Sequence, residues 1–222
     1  MFSPSSKGRL TVRDLDRFPG GKLFDRMARV VCQAGCLPRK ELYEAWEVAR
    51  RTRRLFRGGR VVDLAAGHGL LGQLMLILDD SSPEVLVVDP ALPPSSTKLH
   101  EALMEAWPRL RGRVTFVPGG FDAVAIHSTD VVVSSHACGT LTDRVIDVAV
   151  ASRARVAVLP CCHDSRSENA GALRGWVAPA LAMDIARAHR LEGEGYRVWT
   201  QAIPAGITPK NRLLLAAPIA GD

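Results

Sequence analysis

The sequence predicts an α/β fold in which a seven-stranded, mostly parallel sheet has helices on both faces and an antiparallel last strand. Three observations predict it. Short β-branched runs alternate with helical stretches through most of the chain, which is typical of a parallel sheet covered by helices. A small-residue turn, 65–69, joins the first predicted strand to a helix. The last two predicted strands, 195–203 and 211–217, have no helix between them and should therefore pair as a hairpin.

The residues before the first strand are predicted to be mainly helical. Residues 1–20 are polar and predict a loosely held arm. Helices are predicted over 21–35 and 38–57, the second with Pro38 in its first turn, a favoured position for proline. Gly58 and the glycine after it end that helix, because glycine readily takes the backbone conformation found there.

From residue 60 onward, strands and helices alternate along the chain. Strands are predicted over 60–64, 84–89, 113–117, 129–135 and 154–160, and helices over 69–79, 96–107, 140–151 and 171–192. This organisation predicts one α/β domain over 58–222, preceded by a basic helical extension over 1–57.

The composition is that of a globular protein. Of 222 residues, 47% are hydrophobic and 23% are charged. The apolar runs are shorter than the roughly 20 residues that span a bilayer, and the first ten residues lack the apolar core of a signal peptide. Five cysteines without the spacing of a disulfide framework are typical of a reducing compartment. We therefore expect a cytoplasmic protein.

Positive charge is concentrated before the first strand. Residues 1–60 hold 15 Lys and Arg against 6 Asp and Glu, whereas the remaining residues hold 14 against 17. In the second helix, four arginines recur at helical spacing and would form one basic face: Arg50, Arg53, Arg54 and Arg57. Such a face indicates a polyanionic partner such as RNA. A solvated helix face without a partner is the alternative.

Two aspartates mark the ends of the first two strands of the predicted sheet. Asp63 precedes the glycine turn, and Asp89 ends the second strand. Glycine at positions 67 and 69 would let a ligand approach the backbone closely at a helix N-terminus. An acidic residue at the tip of the second strand is placed to hold ribose hydroxyls. Together these signals predict a cofactor that contains a nucleoside.

The position of Asp63 favours one of two possible kinds of nucleoside-containing cofactor over the other. Gly67, Gly69 and Gly72 also fit the G-x-G-x-x-G pattern of dinucleotide-binding proteins. A carboxylate would be repelled by a pyrophosphate, whereas it would stabilise the ammonium group of S-adenosylmethionine. The form D-x-x-x-G-x-G resembles motif I of class I methyltransferases, so S-adenosylmethionine is the expected cofactor. The predicted cofactor-binding residues are Asp63, Ala65, Gly67, Gly69, Asp89, Gly120, Asp122 and Ser134.

Cysteines and histidines follow the fourth and fifth strands. The two exit loops hold His136, Cys138, Cys161, Cys162 and His163. The carboxyl ends of neighbouring parallel strands meet at one edge of the sheet, where ligands bind. A histidine there could be a general base oriented by Asp143 or Asp164. A zinc site and buried structural side chains are the alternatives. The expected catalytic residues are His136, His163, Cys162 and Asp164, without a metal.

These loops resemble the H-x-C-G…T-D…C-C-H pattern of one methyltransferase family. The matching residues are His136-Ala137-Cys138-Gly139, Thr142-Asp143 and Pro160-Cys161-Cys162-His163. The family includes tRNA 2′-O-methyltransferases that act on the acceptor stem, and methyltransferase-like proteins related to the glutathione S-transferase C-terminal-domain-containing protein. The turn Pro209-Lys210-Asn211 is similar to the second group. The resemblance covers about 39–215 and implies the class I methyltransferase fold, which is Rossmann-like, with S-adenosylmethionine as cofactor.

The resemblance has two departures. The tRNA enzymes carry extra zinc-finger segments to which nothing here corresponds, and Asp164 stands where they have a further histidine. The predicted function is S-adenosylmethionine-dependent methylation of RNA, with tRNA 2′-O-methylation as the specific form and a histidine as general base. Methylation of a protein side chain or a small molecule is the first alternative. A non-catalytic module that binds the cofactor or RNA is the second.

Overall fold

The sheet has the predicted architecture. The computed structural model describes residues 2–160, 173 and 175–220. Its strands are β1 (Val61–Leu64), β2 (Val85–Asp89), β3 (Val114–Pro118), β4 (Val131–Ser134), β5 (Arg155–Val158), β6 (Tyr196–Ala202) and β7 (Arg212–Pro218). They lie in the order β3-β2-β1-β4-β5-β7-β6. Strands β1 to β5 are parallel, and β7 is antiparallel to both β5 and β6. The prediction of a mostly parallel sheet with an antiparallel last strand is confirmed.

Helices cover both faces of this sheet. In the described part of the chain they are α1 (Leu23–Ala34), α2 (Arg39–Leu55), α3 (Leu70–Leu78), α4 (Ser95–Ala106), α5 (Leu141–Ser152) and α6 (Pro179–Gly193). Helix α6 begins later than the predicted residue 171, with Pro179 in its first turn. Trp176, just before this helix, is 86% exposed. None of the described helices has the length and apolar character needed to cross a membrane.

The strands are apolar on both sides because the sheet lies between two helical layers. Successive side chains of a strand point to opposite faces. In β1, Val61 therefore contacts the core under α1 to α4, whereas Val62 contacts the core under α5 and α6. In β4, the parallel neighbour of β1, Val131 likewise contacts the core under α1 to α4, and Val132 contacts the core under α5 and α6. This double burial explains the unbroken valine runs of the sequence.

The N-terminal arm is docked on the domain, so the prediction of a loosely held segment is wrong. Leu10 and Phe18 are 0% and 2% exposed and belong to the same apolar core as α1 to α4. The Leu10 N–H donates a hydrogen bond to the Leu37 carbonyl at 2.9 Å. The few apolar side chains of the arm are thus enough to hold a mostly polar segment against the start of α2.

Arg53 is a structural residue of the interior. It is 4% exposed, and its guanidinium donates hydrogen bonds to the Met75 carbonyl at 2.9 Å, the Ser82 hydroxyl at 2.8 Å and the Phe56 carbonyl at 3.3 Å. Burial lowers its pKa to about 10, still far above neutral pH. The side chain therefore joins the end of α2 to the end of α3 and the loop before β2.

Replacing Arg53 by methionine should lower the free energy of unfolding by about 2–4 kcal/mol, because buried acceptors lose their donors. Urea denaturation measures the change. Arg54→Met is the matched control, since Arg54 is exposed on the same turn and should change stability by at most about 0.5 kcal/mol. Equal stability of the two variants would contradict the structural role of Arg53.

Candidate active site

The turn between β1 and α3 places main-chain atoms that are not covered by side chains at the carboxyl end of the sheet. Gly67 and Gly69 have positive φ, 54° and 72°, a conformation that favours glycine. A Cβ on Gly69 would lie 2.6 Å from Cγ1 of Val87 and would collide with β2. Ala65 also has a positive φ, 53°, which is uncommon outside glycine and recurs at functional turns. A ligand at this turn would meet main-chain atoms rather than side chains.

Asp89, the last residue of β2, holds this turn in place. Its Oδ2 accepts a hydrogen bond from the Gly67 N–H at 2.9 Å, and its Oδ1 accepts one from the Ala91 N–H at 2.8 Å. The side chain is only half-buried, and each carboxylate oxygen can accept a further hydrogen bond. Asp89 can therefore also bind hydroxyl groups of a ligand beside the turn.

The end of β3 lies beside Asp89. The Gly119 N–H donates a hydrogen bond to the Asp89 carbonyl at 3.2 Å. Gly120 follows, and a 3₁₀ turn over Phe121–Ala123 then carries Asp122, whose side chain is exposed. Gly120 and Asp122, which the sequence predicts as cofactor-binding residues, thus lie on the side of Asp89 away from β1.

Asp63 is buried beneath the glycine turn. It is 1% exposed, and its Oδ2 accepts a hydrogen bond from the Gly72 N–H at 2.8 Å. Its Oδ1 has no hydrogen-bond partner among the described residues. Burial, as the largest cause, raises the pKa of this carboxyl to about 8. A buried carboxyl with one free oxygen fits a cationic or hydrogen-bond-donating ligand group at this point.

The exit of β4 supplies the adjacent wall. Ser134 and Ser135 are 1% and 3% exposed, and the Ser134 hydroxyl has no partner within the described ranges. His136 follows directly. The Thr142 hydroxyl donates a hydrogen bond of 2.6 Å to the Ala137 carbonyl, which closes the loop over the start of α5. The carboxyl end of β4 thus presents two hydroxyls and an imidazole next to the glycine turn.

His136 is held in its neutral form. Burial lowers its pKa, and the positive charge of Lys40 lowers it further. A small pocket beside the imidazole is lined by residues of α2, the glycine turn and the β4 exit, among them Glu41, Ala45, His68, Leu71, Ser135 and His136. The imidazole is therefore a proton acceptor at neutral pH at the edge of a pocket.

The first turn of α2 covers this pocket, and its charged residues contact other parts of the site. Lys40 forms an ion pair of 3.3 Å with Glu44, which is 4% exposed and is hydrogen-bonded to the Thr208 side chain of the β6–β7 hairpin. Glu41 lies 4.0 Å from Nδ1 of His68 in the glycine turn. Burial raises the pKa of Glu41 to about 7. The pocket is thus enclosed by charged groups that contact one another.

Among the described residues, Asp143 is paired with an arginine and not with a histidine, as one expectation from the sequence would require of His136. Its two carboxylate oxygens accept hydrogen bonds from the Arg187 guanidinium, both at 2.8 Å. Arg187 is 3% exposed and also donates to the Gly139 carbonyl at 3.2 Å and to Asp184 at 3.2 Å. The Asp143 carboxylate is thus paired with Arg187, and this arginine links the loop after β4 to α6.

Three of the five residues of the expected cysteine and histidine cluster lie outside the described residues, namely Cys161, Cys162 and His163, and so does Asp164. Of the remainder, Cys138 is exposed. Within the described ranges, no group of three or more His, Cys, Asp or Glu side chains is arranged to hold a metal ion. Cys32 and Cys36 are buried in the core, where burial raises the pKa of Cys32 to about 11.

The predicted basic face of α2 is wrong. Arg53 is buried, and Arg50 pairs with an acidic residue of its own helix at 3.0 Å. Arg54 and Arg57 are exposed, but they lie at the opposite edge of the sheet, where the Arg57 carbonyl accepts a hydrogen bond from Arg155 at the start of β5. Helix α2 has 17 residues and is therefore about 25 Å long. That length separates these arginines from the pocket at the first turn.

Three of the residues at the site that were not assigned a role from the sequence are His68, Thr208 and Arg9. His68 occupies the variable position of the glycine turn, and its Nε2 is hydrogen-bonded to the Ser95 hydroxyl at 2.9 Å. Thr208 contacts Glu44 from the hairpin. Arg9, in the N-terminal arm, lies close enough to His68 to lower its pKa. Only His68 had a local signal, namely its place inside the glycine turn.

The sequence matches a known family over the part that forms this site. Residues 40–169, more than half of the chain, match a family model described as a methyltransferase domain. The match includes the glycine turn, Asp89 and His136. No curated protein is similar enough in sequence to count as a relative.

Solved structures share the fold at low sequence identity. TrmK, a tRNA methyltransferase of B. subtilis, is 12% identical over 79% of this chain and 66% of its own, with a TM-score of 0.52. The mitomycin 7-O-methyltransferase MmcR is 19% identical over 92% of this chain and 60% of its own, with a TM-score of 0.50. The chain thus spans about two thirds or less of each, and these likenesses concern the fold alone.

Proposed function

Since the chain belongs to this methyltransferase-domain family and uses S-adenosylmethionine as its methyl donor, we propose that it methylates RNA at a ribose 2′-hydroxyl, with His136 as the general base. The cofactor supplies a methyl group bonded to a positively charged sulfur. The hydroxyl oxygen would bond to that carbon while the carbon–sulfur bond breaks, which leaves a neutral thioether, and the hydroxyl must lose its proton in the same step. The tasks of the protein are to align the acceptor and to accept the proton.

The proposal depends mainly on the position of His136 and on its lowered pKa. Its pKa is lowered by burial, so the imidazole is neutral and can take a proton at neutral pH. It follows β4 directly, and β4 is the parallel neighbour of the strand that leads into the glycine turn. A hydroxyl acceptor needs such a base, because its own pKa lies far above neutral pH. His163, Cys162 and Asp164 are proposed to complete this end of the site.

The buried polar groups around the glycine turn fit the cofactor. We assign the unpartnered Oδ1 of Asp63 to its ammonium group and Asp89 to its ribose hydroxyls. Main-chain atoms of Ala65, Gly67 and Gly69 would line the cofactor where side chains are excluded. The adenine end is assigned to Gly120 and Asp122. The unpartnered Ser134 hydroxyl is a further donor beside the transferred group.

RNA is favoured over other hydroxyl acceptors by two features of the sequence. The loops around His136 and after β5 resemble those of tRNA 2′-O-methyltransferases that act on the acceptor stem. The first 60 residues also carry an excess of positive charge, with 15 Lys and Arg against 6 Asp and Glu, which suits a phosphate backbone; the arginines at the end of α2 belong to this excess but lie away from the pocket.

The test is transfer of radiolabelled methyl from S-adenosylmethionine into a cell lysate by the purified protein, with and without ribonuclease. We expect acid-insoluble label that ribonuclease removes. Label that survives ribonuclease but not protease would show a protein acceptor. Label in the acid-soluble fraction of an undigested lysate would show a small-molecule acceptor. Either result would overturn the RNA proposal.

A further inference from the structure

The N-terminal arm forms a fixed rim beside the proposed active site. Arg9 pairs with Pro38 in an antiparallel bridge, and Leu10 donates its N–H to the Leu37 carbonyl at 2.9 Å. On the other side, the Arg39 N–H donates to the Gly8 carbonyl at 3.0 Å. Three consecutive residues of the arm, Gly8 to Leu10, are therefore held against the start of α2, the helix that covers the pocket.

The start of α4 also borders the site, because it contacts the glycine turn. His68 of that turn is hydrogen-bonded to Ser95, the first residue of α4, at 2.9 Å. Lys98 lies three residues further on, and residues three apart share one side of a helix. Burial raises the pKa of the Cys36 thiol, and Lys98 and Arg9 both lie close enough to lower it in part. The two cations thus border the same end of the site.

These two cations are free to bind a partner. Both side chains are exposed, and neither forms an ion pair or a side-chain hydrogen bond with any residue in the described part of the chain. Neighbouring cations are neutralised instead: Arg39 pairs with Asp14 at 3.7 Å and Lys40 with Glu44 at 3.3 Å. Charge left uncompensated at the mouth of a site attracts an anion.

We propose that Arg9 and Lys98 bind backbone phosphates of the RNA acceptor and thereby hold its reactive nucleotide over the pocket. The proposal rests on the proposed function and replaces α2 as the RNA-contacting surface. It gives the extension proposed over 1–57 a role in substrate binding rather than in catalysis. Arg9 and Lys98 contact no group that is proposed to hold the cofactor, so cofactor affinity should not depend on them.

The experiment compares two double variants of the full chain in binding and methylating bulk tRNA. One is Arg9→Gln with Lys98→Gln; the matched control is Arg54→Gln with Arg57→Gln, which removes equal charge from exposed positions at the opposite edge of the sheet. For the first we expect the affinity for tRNA to fall by about 10- to 100-fold at low salt. The log–log slope of affinity against salt should decrease by about 1.5, the value for two phosphate contacts.

Cofactor affinity and melting temperature should match wild type in both variants, and the control should keep its tRNA affinity. An unchanged affinity in the Arg9 and Lys98 variant, or an equal loss in the control, would overturn this inference while leaving RNA methylation intact. A wild-type protein that neither binds nor methylates RNA would instead overturn the proposed function, and the inference with it.

Discussion

Replacing His136 by alanine is expected to lower the rate of methyl transfer by about 10²–10⁴-fold, the range that a general base contributes. Cofactor affinity should change little, because Asp63 and Asp89 are the residues assigned to the cofactor. Titration of the purified variant with S-adenosylmethionine, followed by single-turnover methylation of RNA, measures the two quantities separately. A loss of rate with normal cofactor binding would identify His136 as a group that acts on the acceptor.

The matched control is His127→Ala. His127 is exposed and precedes β4 at the opposite end of that strand from His136, so it should leave the rate unchanged. The wild-type rate should also fall in acid with a midpoint below the ordinary histidine pKa of 6.5, because the pKa of His136 is lowered and only its neutral form accepts a proton. An active His136→Ala variant, or equal losses in both variants, would contradict the assignment.

Asp63→Asn is expected to weaken cofactor binding by about 10- to 100-fold, equivalent to roughly 1.5–3 kcal/mol, the worth of a hydrogen bond to a charged group. The fold should not be weakened, since asparagine keeps the size of the side chain and one oxygen to accept from the Gly72 N–H. Isothermal titration gives the affinity, and urea denaturation gives the stability. The surface substitution Asp16→Asn is the control and should change neither.

The pH dependence of stability provides an independent check on Asp63. Its pKa of about 8 in the folded protein is far above its unfolded value, so the folded state binds the proton more tightly. Stability of the cofactor-free protein should therefore fall as pH rises from about 4 towards 8, by roughly 2 kcal/mol between pH 6 and 8. Asp63→Asn should lack this part of the fall. Identical pH dependence in variant and wild type would contradict a protonated, buried Asp63.

The sheet could be predicted because local signals and tertiary structure agree. Valine runs at 61–62 and 131–133 are buried on both faces and so are unbroken in the sequence. The glycine turn was recognisable because a side chain at Gly69 would collide with Val87, so no other residue type fits easily. The hairpin of β6 and β7 was predictable from the missing helix between them. In each case the cause lies within a short stretch of chain.

The errors concern contacts between distant parts of the chain. Arg53 recurs with three other arginines at helical spacing, but its partners are carbonyl and hydroxyl groups of α3 and the following loop. Asp143 lies near His136 in the sequence, yet the Asp143 carboxylate accepts a hydrogen bond from Arg187, which lies 44 residues later. The docking of the arm depends on main-chain hydrogen bonds between residues 8–10 and 37–39. Side-chain patterns carry no signal for such bonds.

The role of His136 is tested most directly by identifying the nucleoside that carries the methyl group. RNA methylated by the purified protein with labelled S-adenosylmethionine would be digested to nucleosides and resolved by chromatography and mass spectrometry. We expect label in a 2′-O-methylated nucleoside, with His136→Ala giving little and His127→Ala giving as much as wild type. Label on a base, with the ribose unmodified, would contradict the central claim that His136 deprotonates a ribose hydroxyl.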